Sequence, residues 1–375
     1  MELGTFMMPL HPPGRVPSET LQEDREAILL ADRLGYREAY VGEHVTDLAE
    51  NVTSCLIFLA SVAAQTKQIK LGTGTLNMPN NHPAAIAANV AMVDHMLKGR
   101  FIMGISPGGL MSDAEVFGNF GKDRLEMFVE AIDMVLNIWA GEAPYNLKGK
   151  HFEVSTARTM IPEIGQGIIL KPYQTPHPPI VVTAVAPFSK GVAAAAARGW
   201  MPISANFLLP QWVRTHWDSY VQGCEQAQRT PQVSEWRVAK SIFVTKDDDA
   251  LAKRYAHEAG GPYHFYFKQL IRKLVGFAGR SNLFKLDQNE PDDSVSADTV
   301  APKLVLAGSV NSVVDQILAF REQVGDFGTL LYACHDWQDP ALGRRSMELM
   351  AEEVMPRVNA AIGASQPAKE TASAV

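Results

Sequence analysis

The sequence predicts an α/β fold, a (β/α)8 TIM barrel with insertions, from three observations. Short apolar runs of strand type alternate with longer stretches of helical spacing along most of the chain. The connections between them are short, as crossovers between parallel strands require. The alternation recurs roughly eight times, the number that closes a barrel, and 375 residues is a length such barrels reach as one unit.

Taken in order, residues 3–7 read as a first strand, and His11-Pro12-Pro13-Gly14 as the loop after it. Ser18 can cap a helix whose inner side carries Leu21, Ile28, Leu29 and Leu34 before Gly35 stops it. The next strand ends on Val41-Gly42-Glu43-His44, where glycine lets the backbone turn out of the sheet. A helix over 53–66 leads into a strand at 69–73. A third helix starts beside His82-Pro83, proline suiting its first turn, and ends at Lys98-Gly99. Residues 100–105 form the fourth strand and 126–139 the fourth helix, with Phe128, Ile132, Val135 and Ile138 at helical spacing. After a Pro- and Gly-rich loop and hairpin, the pattern resumes with strands at 179–184, 201–204, 238–244 and 329–333. Helices at 190–198, 210–224, 310–324 and 344–358 accompany them. The reading is a single domain over 1–362, with insertions at about 141–178 and 259–300 and a disordered tail over 363–375.

A formal charge of −7 without a long basic run argues against a nucleic-acid footprint. Cys55, Cys224 and Cys334 lie far apart, which fits a reducing compartment and offers no metal framework. The first residues lack a basic segment and no apolar run is long enough to span a bilayer, so a cytoplasmic protein without a membrane partner is expected.

Several constellations carry chemistry. Glu43 and His44 would sit at the carboxyl rim of the sheet, where α/β folds bind ligands; a loop histidine paired with its neighbour is the plainer alternative. Gly104-Ile105-Ser106-Pro107-Gly108 matches a nucleophile elbow. However, Pro107 has no N–H for an oxyanion hole, so a serine hydrolase is set aside and Ser106 stays a small polar rim residue. Gly72-Thr73-Gly74-Thr75 lacks the third glycine of a dinucleotide loop and suits a simple turn or access for a planar ring. Ser189 can cap the helix that follows Ala184, Val185 and Phe188; that helix start is either an anion site or a plain capped terminus.

Together these residues resemble the bacterial-luciferase-like flavin monooxygenases. Glu43-His44, Gly72-Thr73-Gly74-Thr75, His82-Pro83, the block Asp94-His95-Met96-Leu97-Lys98-Gly99-Arg100-Phe101 and Glu353-Val354-Met355-Pro356 carry the resemblance. Thr183, His216-Trp217, Gly328-Thr329-Leu330 and His335-Asp336 are most similar to the diketocamphane and limonene monooxygenase branch. The resemblance implies a two-component enzyme that takes reduced FMN from an NAD(P)H:FMN reductase. With O2 it would form a C4a-peroxide that oxygenates a hydrophobic, cyclic ketone or terpenoid substrate. His44, neutral near pH 7, and Glu43, which could fix its tautomer, are the expected catalytic residues. His44, Gly74, Thr75, Ser106, Ala184, Val185 and Ser189 would bind cofactor, with a cis peptide between Gly74 and Thr75. Phe6, Met8, Phe207 and Leu208 would wall the substrate pocket or are ordinary core. The 259–300 insertion, with a Gly260-Gly261 hinge, reads as a mobile lid or a rigid subdomain; the resemblance implies a homodimer through helices 53–66 and 82–98. Val45 stands where luciferases have a second histidine, and Ser106-Pro107 where they have Cys-Arg, so phosphate binding would lean on Ala184, Val185 and Ser189. A deazaflavin-dependent dehydrogenase and a non-catalytic flavin-binding paralogue are the alternatives.

Overall fold

Twelve strands appear in the computed structural model, which describes residues 1–277 and 279–365. They are β1 (Glu2–Met7), β2 (Glu38–Val41), β3 (Lys70–Thr73), β4 (Leu76–Asn77), β5 (Phe101–Ser106), β6 (Asn146–Lys148), β7 (Glu153–Ser155), β8 (Ile180–Ala184), β9 (Met201–Ser204), β10 (Arg237–Thr245), β11 (Val305–Ser309) and β12 (Thr329–Cys334). Parallel pairing runs β1–β2–β3–β5–β8–β9–β10–β12 and back to β1, a closed ring of eight strands. The (β/α)8 barrel read from the sequence is therefore present. Two strands were not foreseen: β4 pairs with the end of β5, and β11 pairs along the upper half of β10.

The ring closes on side chains, not on a pore. Phe6, Tyr40, Ile102, Val181, Ile203, Ala239 and Leu331 fill its middle, as layered packing in such barrels requires. At the amino-terminal end, Glu38 and Arg237 meet inside the barrel. Arg237 donates from Nε to Oε1 at 2.5 Å and from a terminal nitrogen to Oε2 at 3.1 Å. Both side chains are buried, so each depends on the other for its hydrogen bonds.

Around the ring, the helix Pro17–Arg33 begins with proline in its first turn, and Val16 rather than Ser18 takes the N-cap position. Its Asp32 accepts the N–H groups of Lys67, Gln68 and Ile69, fixing where β3 begins. Cys55–Ala63 starts at a Ser54 cap, and Pro83–Leu97 starts at a His82 cap. That helix ends where Lys98 and then Gly99 turn to positive φ.

Residues 141–178 hold the short β6–β7 hairpin and otherwise turns. The 259–300 stretch is largely ordered: Pro262–Ile271 is α-helical, Arg272–Phe277 a π-helical turn, and Ala297–Leu304 a helix running straight into β11. Residues 363–365, read from the sequence as the start of a disordered tail, belong instead to the helix Met355–Ser365. The rest of that tail, 366–375, lies outside the described residues.

Candidate active site

Strands β2 and β3 lie side by side with Val41 opposite Thr73. The residues just beyond them, Gly42 to His44 and Gly74 to Thr75, therefore share the carboxyl rim. Space there is tight. A Cβ on Gly42 would meet Met8 Sδ at 2.3 Å, one on Gly74 would meet Tyr40 Cβ at 2.9 Å and Phe6 at 3.0 Å, and one on Gly104 would overlap the Thr73 carbonyl. The peptide between Gly74 and Thr75 is cis, as the resemblance implied.

A chain of hydrogen bonds organises this rim. Thr75 Oγ1 donates to Ser106 Oγ (2.7 Å), and Ser106 Oγ donates to Asn77 Oδ1 (3.0 Å). Asn77 in turn donates from its backbone to Glu43 Oε1 (3.0 Å) and from Nδ2 to the Glu43 carbonyl (3.1 Å). Glu43 Oε2 receives the Cys55 N–H and lies 3.0 Å from Cys55 Sγ. The tautomer-fixing role expected of Glu43 is thus not the one its geometry serves. Its buried carboxylate fastens the helix Cys55–Ala63 and β4 to the end of β2.

His44 is oriented by a different acid. Its Nδ1 lies 3.0 Å from Asp113 Oδ2, on the short helix Met111–Val116. The same carboxylate accepts the N–H groups of Val45 and Thr46 and the Thr46 hydroxyl. Nε2 of His44 faces Glu50 Oε2 at 3.5 Å. Burial lowers the imidazole's pKa, but the hydrogen bond to Asp113 and the charges of Glu50 and Asp113 outweigh it, so His44 is raised above its ordinary value. The expectation of a neutral His44 near pH 7 shifts toward the protonated form. Asp113 itself is held low: burial raises it, and its bonds from His44 and Thr46 more than compensate.

The segment after residue 259 lies across this mouth. Tyr266 donates from its hydroxyl to Asn206 Oδ1 (3.1 Å), Asn206 Nδ2 donates to Ser241 Oγ (3.0 Å), and Ser241 Oγ meets His335 Nε2 at 2.9 Å. Tyr263 and Tyr266 pack on the His335 ring, whose burial pushes its pKa down to about 3. Lys273, two turns beyond Tyr266, reaches Asp47 and Glu50 beside His44.

The other expected cofactor residues divide. The Ala184 side chain is fully buried among Val192, Ala196, Tyr220 and Cys224, so it is withdrawn into the helix layer and can meet a ligand through its backbone alone. Val185 is exposed, and Ser189 caps the helix Lys190–Ala197 by accepting the Val192 N–H (3.3 Å). The turn between them is braced. His216 Nε2 donates to the Ala186 carbonyl (2.9 Å) while Nδ1 meets Ser204 Oγ (2.8 Å), and Thr215 Oγ1 accepts the Phe188 N–H. Because a carbonyl only accepts, the proton of neutral His216 sits on Nε2; burial pushes its pKa down to about 4.

Of the expected substrate walls, Phe6 and Met8 lie against Gly74 and Gly42 at the rim. Phe207 is half-buried, while Leu208 is fully buried within the main core and offers no open surface. A cavity of about 460 Å³ adjoins the rim through Glu43, Val45 and Asn77 and runs between Ile57, Ile86 and Met92; His44, Thr75 and Ser106 do not line it. Asp113, Glu50, Lys273 and His216 were not singled out from the sequence for roles at this rim. For Asp113, Glu50 and Lys273 the only signal is a charged side chain in a stretch after a strand or within an insertion, while His216 lies inside the helix Pro210–Gln226 and stood out only through the resemblance.

Among the described residues no helix is long and apolar enough to cross a membrane. Similarity to known proteins covers nearly the whole chain. The 4-hydroxyprotoasukamycin monooxygenase of Streptomyces nodosus subsp. asukaensis is 28% identical over 380 aligned residues, covering 96% of this chain and 93% of that one. The 3,6-diketocamphane 1,6-monooxygenase of Pseudomonas putida is 26% identical, with 96% and 98% covered. The solved structure of the oxygenating constituent of 3,6-diketocamphane monooxygenase from P. putida, a type II Baeyer-Villiger monooxygenase in complex with FMN, superposes with a TM-score of 0.84 at 27% identity, covering 96% of this chain and 99% of that one. Residues 1–326 match the family described as luciferase-like monooxygenase, and with the barrel and its rim arranged as above, the chain belongs to that family.

Proposed function

We propose that the protein is the oxygenating component of a two-component monooxygenase that uses reduced FMN and O2 on a hydrophobic substrate, a cyclic ketone or terpenoid. The observation that carries this reading is His44, an imidazole held by Asp113 at the end of β2 beside the glycine-lined rim. The chemistry of related proteins supports the cofactor: one solved relative at 27% identity is in complex with FMN.

The residues present fit that cofactor. The first turn of the helix Lys190–Ala197 leaves N–H groups without intrahelical partners. A Cβ at Gly191 would meet only Ser189 Oγ, at 3.6 Å, so the helix start is open enough for a phosphate. Val185 and Ser189, braced by His216, would hold that end; Thr75 and Ser106 would offer hydroxyls toward the ring. Bound reduced FMN supplies the electrons that activate O2 for insertion into the substrate. His44 keeps Nδ1 on Asp113 and so can hold or release a proton at Nε2. Phe6, Met8 and Phe207 supply apolar surface near the mouth, and the helix Pro262–Ile271 excludes water from above.

The electrons would come from an NAD(P)H:FMN reductase meeting the protein transiently. The three buried free cysteines suit a cytosolic setting. The homodimer expected from the resemblance would use the outer faces of Cys55–Ala63 and Pro83–Leu97, where Ile57, Met92 and Met96 are exposed.

The deciding experiment is stopped-flow absorbance of the protein mixed with reduced FMN and O2. A long-lived spectrum unlike either reduced or oxidised FMN, decaying faster with a bicyclic ketone and yielding a lactone, is expected. Immediate conversion to oxidised FMN, or hydride exchange with a reduced deazaflavin, would overturn the reading.

A further inference from the structure

Around His44 the charges come from three separate parts of the chain. Asp113 stands on the helix Met111–Val116, Asp47 and Glu50 on the loop after β2, and Lys273 on the π-helical turn Arg272–Phe277 of the capping segment. Tyr266 of the same segment also feels the Glu50 charge. Glu50 is buried and divides its two oxygens: Oε1 accepts from Lys273 Nζ at 2.6 Å, while Oε2 has no hydrogen-bond partner among the described residues and lies 3.5 Å from His44 Nε2. One carboxylate therefore stands between two cationic groups, one of which belongs to a separate segment of the chain.

We propose that Lys273 is a positioning residue: by bridging Asp47 and Glu50 it couples the seating of the capping segment over the barrel mouth to the charge carried by His44.

The physics is a competition for Glu50. With Lys273 in place, the ammonium neutralises Glu50 and adds its own repulsion toward an imidazolium, an effect large for unit charges a few ångströms apart in a buried setting. With the segment lifted, His44 becomes the nearest cationic partner of Glu50, and the imidazolium is favoured. Seating the cap therefore inclines His44 to give up the proton at Nε2. By reciprocity, protonating His44 loosens the cap. The direction agrees with Lys273 lowering His44 while Asp113 and Glu50 raise it. The catalytic consequence rests on the function proposed for His44; the coupling itself does not.

The test needs no cofactor or turnover. The His44 imidazole is titrated by nuclear magnetic resonance, and amide exchange of residues 262–277 is measured, in the parent, Lys273→Met and Lys273→Arg. In Lys273→Met the His44 midpoint should rise and exchange across the segment should quicken by about tenfold or more, as expected when a largely buried pair is broken. Lys273→Arg should restore both. An unchanged His44 midpoint in a folded Lys273→Met would overturn the coupling even if exchange quickens, since that outcome marks a purely structural tie. Should Lys273→Met not fold, Glu50→Gln decides: its His44 midpoint must fall, and an unchanged one overturns the proposal. Failure of oxygenation with the coupling intact would count against the proposed function alone.

Discussion

His44 shows how far single residues carry the function and where they mislead. Its place at a strand end was legible, because Gly42 marks the exit from a short apolar run. Its partner was not: Asp113 lies 69 positions away, and Glu43, adjacent in sequence, turns to Cys55 and Asn77 instead. Neighbours along an extended chain point to opposite sides, so adjacency is a poor guide to pairing at a strand end. His44→Ala should still bind FMN, because the Val185–Ser189 turn stands on a different strand, but oxygen uptake should end as hydrogen peroxide. Product formation should fall about 10²–10⁴-fold, the usual cost of losing a positioned acid–base group. Coupled product formation at the parent's rate, in a variant that melts normally, would show His44 to be a loop residue only. Asp113→Asn should lower the His44 midpoint, since it removes both the charge and the charge-assisted bond that raise it; a titration that does not move would place its control elsewhere.

Among the elements, those with clean punctuation were legible and those with mixed signals were not. The helix Pro83–Leu97 announced itself by His82-Pro83 at one end and Lys98-Gly99 at the other, and both ends are as read. β11 was hidden because Ala297–Leu304 contains Pro302 and passes into the strand with no intervening turn residue. The insertion at 259–300 was legible from the Gly260-Gly261 pair and the aromatics that follow it. The burial of Tyr263, Tyr266 and Phe267 against the mouth appears only in three dimensions. On the barrel's flank, Ile57 is 75% exposed on Cys55–Ala63 and Met92 is 50% exposed on Pro83–Leu97, an apolar surface that no described residue of this chain covers. If a second copy covers it, Ile57→Glu should turn a dimer into a monomer by light scattering at micromolar concentration. The stability of the isolated subunit should change by no more than about 0.5 kcal/mol, as for other exposed positions. A parent protein already monomeric under those conditions would remove the interface.

At the scale of the whole molecule, the barrel stands or falls on its closure, and closure rests on charges the sequence could not pair. At the amino-terminal end Glu38 and Arg237 are 199 positions apart and meet inside the ring. Arg237→Met leaves a buried carboxylate alone, and equilibrium unfolding should register a loss of about 3–5 kcal/mol; a loss near zero would show that closure does not depend on the pair. At the opposite end, the loop after β1 is tied to the loop after β12. His11 Nδ1 lies 2.6 Å from Asp336 and Nε2 lies 3.3 Å from Asp24, while Arg15 bridges Asp336 and Glu23. Burial alone would lower the pKa of His11, but the hydrogen bonds and charges of Asp24 and Asp336 raise it from 6.5 to about 9. Burial also pushes the Asp24 carboxyl up, so His11 and Asp24 titrate as a coupled pair and the value belongs to both. For a group raised on folding, the stabilisation is complete below the unfolded value and disappears as pH climbs through the folded one. Stability should therefore decline between pH 6.5 and about 9. The loss should be roughly 2–3 kcal/mol, because each tenfold gain in proton affinity on folding is worth about 1.4 kcal/mol. Urea unfolding across that window would show it as a falling midpoint with an unchanged slope. In His11→Gln the overall stability should be lower and this decline should flatten, because glutamine keeps a hydrogen bond but has no proton to lose. A decline of the same size in the variant would assign the pH dependence to other groups and leave His11 as a neutral tie between the two loops.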